Sequence, residues 1–248
     1  MPIHMRAKSK MGVYHVIMRG INRQSIFEDD EDYEKFIETL RSYKAISEYE
    51  VYAYCLMGNH FHLLLKVGKE DLALVIKRIA GSYVYWYNLK YRRCGHLFQD
   101  RYKSEVVEND AYLLTVIRYI HQNPIKAGLC KCISEYKYSS YGEYIAEDSR
   151  LVDVDFALGI ADKESFVKFN NESKTDCCMD VSDEVGKIND TDGAAIMQSV
   201  SNCASSAEFQ SLDTPLRDRY IDILKQKGLS IRQISRLTGV SFGIVRKL

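Results

Sequence analysis

Apolar positions along the first 130 residues alternate between a spacing of two and a spacing near 3.6, which divides that stretch into strands and helices. Gly12 to Met18, GVYHVIM, is rich in β-branched and aromatic residues and reads as a strand. Asp29 to Ser47 sets Tyr33, Phe36, Ile37, Leu40 and Tyr43 near helical spacing, behind an acidic start, Asp29-Asp30-Glu31-Asp32, that complements a helix N-terminus. Tyr49 to Leu56 and His60 to Val67 read as strands. The turn signal Gly58-Asn59 between them predicts an antiparallel hairpin. Asp71 to Leu89 is a second helix, with Leu72, Leu74, Val75, Ile79 and Tyr83 on its apolar face, and Leu97 to Val107 looks extended. Asp110 to Gln122 is a third helix, capped by Asn109 or Asp110 and expected to stop at Pro124, because the residue before proline disfavours helical dihedrals. The order β-α-β-β-α-β-α predicts an α+β fold, the ferredoxin-like split βαβ antiparallel sheet with one added helix.

The pattern changes after residue 145. Residues 170–207 are polar, acidic and poor in aromatics, and read as a mobile linker with some local helix. From Leu216 a helical pattern resumes. Ile231, Ile234, Leu237, Val240, Ile244, Val245 and Leu248 fit a small helix-turn-helix about Gly239, with Ser241 to Lys247 as its second helix. Three segments follow from this: residues 1–145 as a folded domain, 146–207 as an acidic, partly ordered linker, and 208–248 as a helical segment. No repeat at solenoid period is visible.

Charge sharpens that division. The net charge of zero conceals 21 basic against 17 acidic residues in 1–145, 5 against 13 in 146–207 and 8 against 4 in 208–248. Two basic segments around an acidic one suit a nucleic-acid binder, although charge alone is a weak argument. At 46% hydrophobic residues and 3 prolines the chain can build a packed core. No apolar run reaches a membrane-spanning length, so no membrane partner is expected. The N-terminus does not read as a signal peptide. The 7 cysteines form no disulfide framework and no zinc spacing, so reduced thiols in a cytoplasm are the expectation.

Candidate chemistry concentrates in two places. Side chains two apart on a strand share a face, so His60 and His62 point one way. Phe61, Leu63 and Leu65 point the other way, into the core beneath the first two helices. Two imidazoles so placed fit either a hydrogen-bonded, half-buried pair or two ligands of one divalent ion. On the third helix, residues four apart share a face, which sets Tyr119 beside Asn123. A helix packed on the histidine face would bring a phenol and an amide towards the imidazoles. With 18 tyrosines in the chain, Tyr119 alone would read as a core aromatic.

Together these stretches resemble a known family. His60-Phe61-His62, preceded by Met57-Gly58-Asn59, resembles the histidine-hydrophobe-histidine motif of HUH endonucleases. Tyr119-Ile120-His121-Gln122-Asn123-Pro124-Ile125-Lys126-Ala127-Gly128-Leu129 resembles the tyrosine motif of REP-associated tyrosine transposases, within the IS200-like single-tyrosine superfamily. Tyr14-His15-Val16 with Arg19-Gly20, and Tyr138-Ser139-Ser140-Tyr141, are smaller matches, and the resemblance covers about residues 10–145. It implies a catalytic added helix carrying Tyr119 as nucleophile, and Mg²⁺ or Mn²⁺ held by His60, His62 and Asn123. The implied reaction cuts and joins single-stranded DNA through a 5′-phosphotyrosine, at hairpin-bearing repeats. A bacterial cytoplasmic protein, nucleoid-associated when bound to DNA, is implied, and a monomer and a homodimer both remain open. The acidic segment and the C-terminal helices lie outside the resemblance.

DNA contact candidates are Arg19, Asn22 and Arg23 after the first strand, Arg92, Arg93, Arg101 and Lys103 around the fourth, and Arg246 and Lys247 in the C-terminal helix. Two other readings compete. One is a domesticated DNA-binding or regulatory protein without turnover, disfavoured by the intact His60, His62, Tyr119 and Asn123. The other is a structural zinc protein, disfavoured because no cysteine pair supports the histidines.

Overall fold

The structure, a computed structural model, describes residues 7–146, 151–172, 176–180 and 190–248. The chain divides into two compact units, residues 1–181 and 182–248, each with its own apolar core.

In the first unit, strand β1 (Val13–Arg19), helix α1 (Asp30–Ser47), strands β2 (Glu50–Met57) and β3 (His60–Lys66), helix α2 (Leu72–Lys90), strand β4 (Lys103–Val107) and helix α3 (Asp110–Lys126) follow the predicted order. The sheet order is β2-β3-β1-β4, and every neighbouring pair is antiparallel. This is the expected ferredoxin-like arrangement: β1 and β2 run parallel with β3 between them, and α1 is the crossover.

The two faces of the sheet carry different jobs. Phe61 of β3 packs on Phe36 of α1 with ring centroids 4.7 Å apart, and Phe36 packs on Tyr83 of α2 at 5.1 Å. Both helices therefore cover the Phe61 face. Helix α1 starts in a reciprocal cap, in which Asp29 accepts from the Asp32 amide and Asp32 accepts from the Asp29 amide. Helix α3 lies against β2 and β3 on the opposite face, where the histidines point. The β2–β3 turn is fastened from outside: Gly58 accepts from the Ile26 and Phe27 amides, and Asn59 accepts from the Gly20 amide. Gly20 itself lies so close to the Gln24 carbonyl that any Cβ would collide with it.

Two boundaries differ from expectation. The extended stretch Leu97–Val107 is a strand only from Lys103, because Leu97, Phe98 and Gln99 bond to the loop after β1 instead: Ile21 donates to the Leu97 carbonyl at 2.9 Å and Gln99 to that of Arg19 at 2.9 Å. Helix α3 runs through Pro124 to Lys126. Proline there forfeits one backbone bond near the C-terminus. The end is then closed by Gly128, at φ 70°, which donates to Ile125 while Leu129 donates to Pro124.

Residues beyond 145 are more ordered than their acidity suggests. Helices α4 (Tyr141–Ile145), α5 (Val154–Ile160) and α6 (Lys163–Asn171) belong to the first unit, and Leu151, Val152, Ala157 and Phe166 are buried. Phe166 stacks on Tyr144 at 4.3 Å, and the Asp153 amide donates to the Val51 carbonyl at 2.7 Å. Of the described acidic residues, Asp155 and Glu164 are exposed, Asp162 caps α6, and Asp153 and Asp176 pair with Lys44 and Arg118. A few apolar anchors are enough to dock the segment. Residues 147–150, 173–175 and 181–189 of the expected linker lie outside the described residues.

The second unit contains α7 (Asp190–Ser201), α8 (Ser206–Gln210), α9 (Thr214–Gln226), α10 (Ile231–Thr238) and α11 (Phe242–Lys247). Met197, Phe209, Ile221, Leu224, Ile234 and Val245 are buried in its core. Gly239, at φ 70°, turns the chain between α10 and α11. Of the expected apolar set, Ile234, Val240 and Val245 are buried, Ile231 and Leu237 are half-buried, and Ile244 and Leu248 are exposed.

Candidate active site

His62 is fully buried at the centre of the sheet, and its Nε2 has no hydrogen-bond partner among the described residues. His60, at the start of β3, is half-buried with its ring centroid 5.2 Å from that of His62. Its Nδ1 is 2.6 Å from Asn59 Oδ1, while the Asn59 amide nitrogen donates to the Arg23 carbonyl at 3.3 Å. That amide orientation makes Oδ1 the acceptor, so His60 donates through Nδ1 and keeps a lone pair on Nε2. Burial, followed by the Arg19 charge, lowers the His60 pKa to about 4. Burial, followed by the neighbouring imidazoles, holds His62 well below its usual range. Both rings are neutral at physiological pH, the state in which imidazole binds metal.

Helix α3 brings Tyr119 to the same face. Its ring stands edge-on to His62, with centroids 5.8 Å apart, and the hydroxyl is buried without a partner in hydrogen-bonding geometry among the described residues. Burial, followed by the Asp180 carboxylate, raises the Tyr119 pKa far above the ordinary phenol value. Lys126 Nζ sits 4.1 Å from the ring centroid. Asn123 follows one turn later, buried, and its amide nitrogen donates to the Tyr119 carbonyl at 2.9 Å, so its Oδ1 is not the atom engaged there. Among the described residues, no three His, Cys, Asp or Glu side chains are arranged to hold a metal ion. A set built on the histidine pair therefore needs another donor type. Two bare imidazole nitrogens and one amide oxygen would suit a divalent cation.

His121, between these residues in sequence, faces the other way. Its Nδ1 is 2.9 Å from Asn170 Oδ1 and its Nε2 is 2.8 Å from Ser140 Oγ. It fastens α6 to α3. Arg118 does the same for the following segment, with two bonds to Asp176 at 2.6 and 2.8 Å and its guanidinium 3.9 Å from the centre of the Phe169 ring. Residues 176–180 then pass over the site, where the Met179 amide donates to Glu105 at 3.0 Å.

Two neighbours of His62 escaped the sequence reading. His15 of β1 is fully buried, with Nε2 3.0 Å from His62 Nδ1, and Glu105 of β4 lies 3.5 Å from His15 Nδ1. Burial lowers the His15 pKa, against the raising effect of Glu105. Alternation alone puts His15 and Ile17 on one face of β1. Its meeting with His62 depends on a register that a single sequence does not reveal.

The basic candidates fall into two groups. Asn22, Arg23, Arg92, Arg101 and Lys103 are exposed, and Arg19 and Arg93 are half-buried. All seven lie around one end of the sheet, where the loop after β1 is hydrogen-bonded to Leu97 and Gln99. Arg93 packs over the Tyr87 ring at 5.5 Å. Arg246 and Lys247 are exposed on α11 of the second unit.

A histidine pair on a central strand thus lies against a helix tyrosine on one face of a ferredoxin-like sheet. Residues 8–123 match the family model described as "Transposase IS200 like". The chain is also similar to a Haemophilus influenzae protein described as "Putative REP-associated tyrosine transposase", at 27% identity over 122 residues, 43% of this chain and 69% of that one. A solved structure of a REP-associated tyrosine transposase bound to a REP hairpin shares the fold. Its TM-score is 0.52 at 18% identity, and the match covers 62% of this chain and 96% of that one. Among the described residues, no helix is long and apolar enough to cross a membrane.

Proposed function

We propose that the first unit cuts and rejoins single-stranded DNA beside hairpin-forming repeats, with Tyr119 as nucleophile and His60, His62 and Asn123 holding Mg²⁺ or Mn²⁺. The observation that carries this reading is the pair of buried polar atoms on neighbouring rings, Tyr119 Oη and His62 Nε2, that have no hydrogen-bond partner among the described residues. Native interiors rarely leave such groups unsatisfied unless a ligand completes them. A divalent ion bound there would neutralise charge developing on the phosphate oxygens.

The chain's own residues supply the rest. Tyr119 Oη bonds to phosphorus as the bond to the 3′-oxygen breaks, leaving a 5′-phosphotyrosine and a free 3′-hydroxyl. The reverse attack by a 3′-hydroxyl joins a new strand and releases Tyr119, and because the phosphoester is conserved no ATP is consumed. The Tyr119 hydroxyl is buried, with Asp180 and Cys178 acting on it, so residues 176–180 would move aside as DNA enters. The exposed basic cluster at the sheet end, Asn22, Arg23, Arg92, Arg101 and Lys103, would hold the backbone of the strand, with Arg19 and Arg93 beside it. In the second unit, α10 and α11 would act as a helix-turn-helix, with Arg246 and Lys247 meeting phosphates or base edges. The hairpin in the solved relative supports hairpin DNA as the substrate class. Trapping a covalent protein–DNA adduct tests the reading.

A further inference from the structure

The residues behind His62 form a line across three strands. Glu105 of β4 and His15 of β1 are direct cross-strand partners. His62 of β3 pairs with Ile17, which makes it the diagonal neighbour of His15 on the same face. The contacts are 3.5 Å from Glu105 Oε2 to His15 Nδ1 and 3.0 Å from His15 Nε2 to His62 Nδ1. The first is long for a hydrogen bond, so Glu105 acts on His15 mainly through its charge.

Donor and acceptor accounting gives the line a direction. A carboxylate only accepts, and a neutral imidazole has one donor and one acceptor. With its proton on the Nδ1 that faces Glu105, His15 is left with Nε2 as an acceptor, and His62 must donate through Nδ1. His62 Nε2 then carries a bare lone pair and, like His15 Nδ1, is buried without a hydrogen-bond partner among the described residues. The opposite direction would aim a His15 lone pair at a carboxylate. It would also place a proton on His62 Nε2 with nothing to receive it. His60 reaches the same tautomer through Asn59, so both histidines would present Nε2. In this arrangement His15 Nε2 accepts from His62, and Nδ1, which has no hydrogen-bond partner among the described residues, carries the proton turned towards Glu105.

We propose that His15 and Glu105 are positioning residues that fix His62 as the Nδ1–H tautomer, leaving Nε2 free for a divalent cation; the metal half of this rests on the function proposed above. Outer partners of this kind set the orientation and basicity of ligating imidazoles, and their loss typically costs 10–100-fold in metal affinity.

Long-range ¹⁵N NMR on the metal-free full chain reads the tautomer directly, with the His62 signals assigned by their loss in His62→Gln. The expected result is a protonated Nδ1 and a bare Nε2, and a proton on Nε2 overturns the proposal. Mn²⁺ binding, followed by electron paramagnetic resonance, gives a second readout. His15→Phe keeps a ring but removes the acceptor, and is expected to weaken Mn²⁺ binding by roughly 10–100-fold, with metal-free hairpin binding unchanged. His15→Gln, whose amide oxygen can accept from His62, restores most of the affinity. Unchanged Mn²⁺ affinity in folded His15→Phe overturns the proposal. Should that variant not fold, the wild-type tautomer still decides. A wild-type chain that binds no Mn²⁺ overturns the metal reading of the site instead, and the tautomer measurement remains separate from it.

Discussion

Tyr119 and His62 meet edge to face on one face of the sheet, centroids 5.8 Å apart, and among the described residues neither Tyr119 Oη nor His62 Nε2 has a hydrogen-bond partner within bonding geometry. An unsatisfied buried group costs about 1–3 kcal/mol. Tyr119→Phe should therefore stabilise the first unit, by roughly 1 kcal/mol on that scale, as read by thermal or urea unfolding. A loss of stability would mean that the hydroxyl has a structural partner and is not held ready for a ligand.

Acid should weaken the fold in a defined window. Burial lowers His60 and His121 to about 4 from the ordinary 6.5. Both stay neutral in the folded chain while the unfolded chain takes up protons below 6.5. The stability they contribute is complete above pH 6.5 and is lost as pH falls towards 4. For the fully buried His121 the shift corresponds to roughly 3 kcal/mol at the acid end. Urea unfolding between pH 7 and 4.5 should show this decline, and His121→Gln should flatten it. An unchanged slope in that variant would remove His121 from the account.

Asp176 ties residues 176–180 to the buried Arg118. Asp176→Ala leaves that guanidinium with Glu172 at 3.6 Å, the Phe169 carbonyl at 3.5 Å and the Phe169 ring. Breaking a buried pair costs about 3–5 kcal/mol, and the remaining contacts should reduce the loss to roughly 2. Tyr119 should become open to nitration, read by mass spectrometry of its peptide. Protection equal to wild type would show that other contacts hold the cover.

Arg246 and Lys247 are exposed on α11. If they meet phosphates, Arg246→Ala and Lys247→Ala should each lower hairpin affinity and reduce the salt slope of binding by about 1. Unchanged slopes would point the second unit towards a role other than DNA contact.

Much of this could be read from the chain. Periodicity located the four strands and first three helices, and alternation sorted Phe61 from His60 and His62, because each face of a sheet has one environment. Spacing of four set Tyr119 beside Asn123. Register was out of reach: that His15 meets His62 and Glu105 depends on how β1 slides against its neighbours. The docking of residues 151–172 was also missed, because Leu151, Val152 and Phe166 are sparse anchors in an acidic background and no periodic pattern announces them. Pro124 misled about the end of α3, since one lost backbone bond near a terminus is tolerated where Gly128 closes the helix.

The central claim is tested most directly by incubating the full chain and Mn²⁺ with labelled single-stranded DNA carrying a hairpin beside a cleavable flank, then resolving the products on a denaturing gel. The account predicts a covalent adduct that maps to Tyr119 by mass spectrometry and is absent with chelator, in His60→Ala and in Tyr119→Phe. No adduct on any hairpin-bearing strand, or an adduct that persists in Tyr119→Phe, would contradict it.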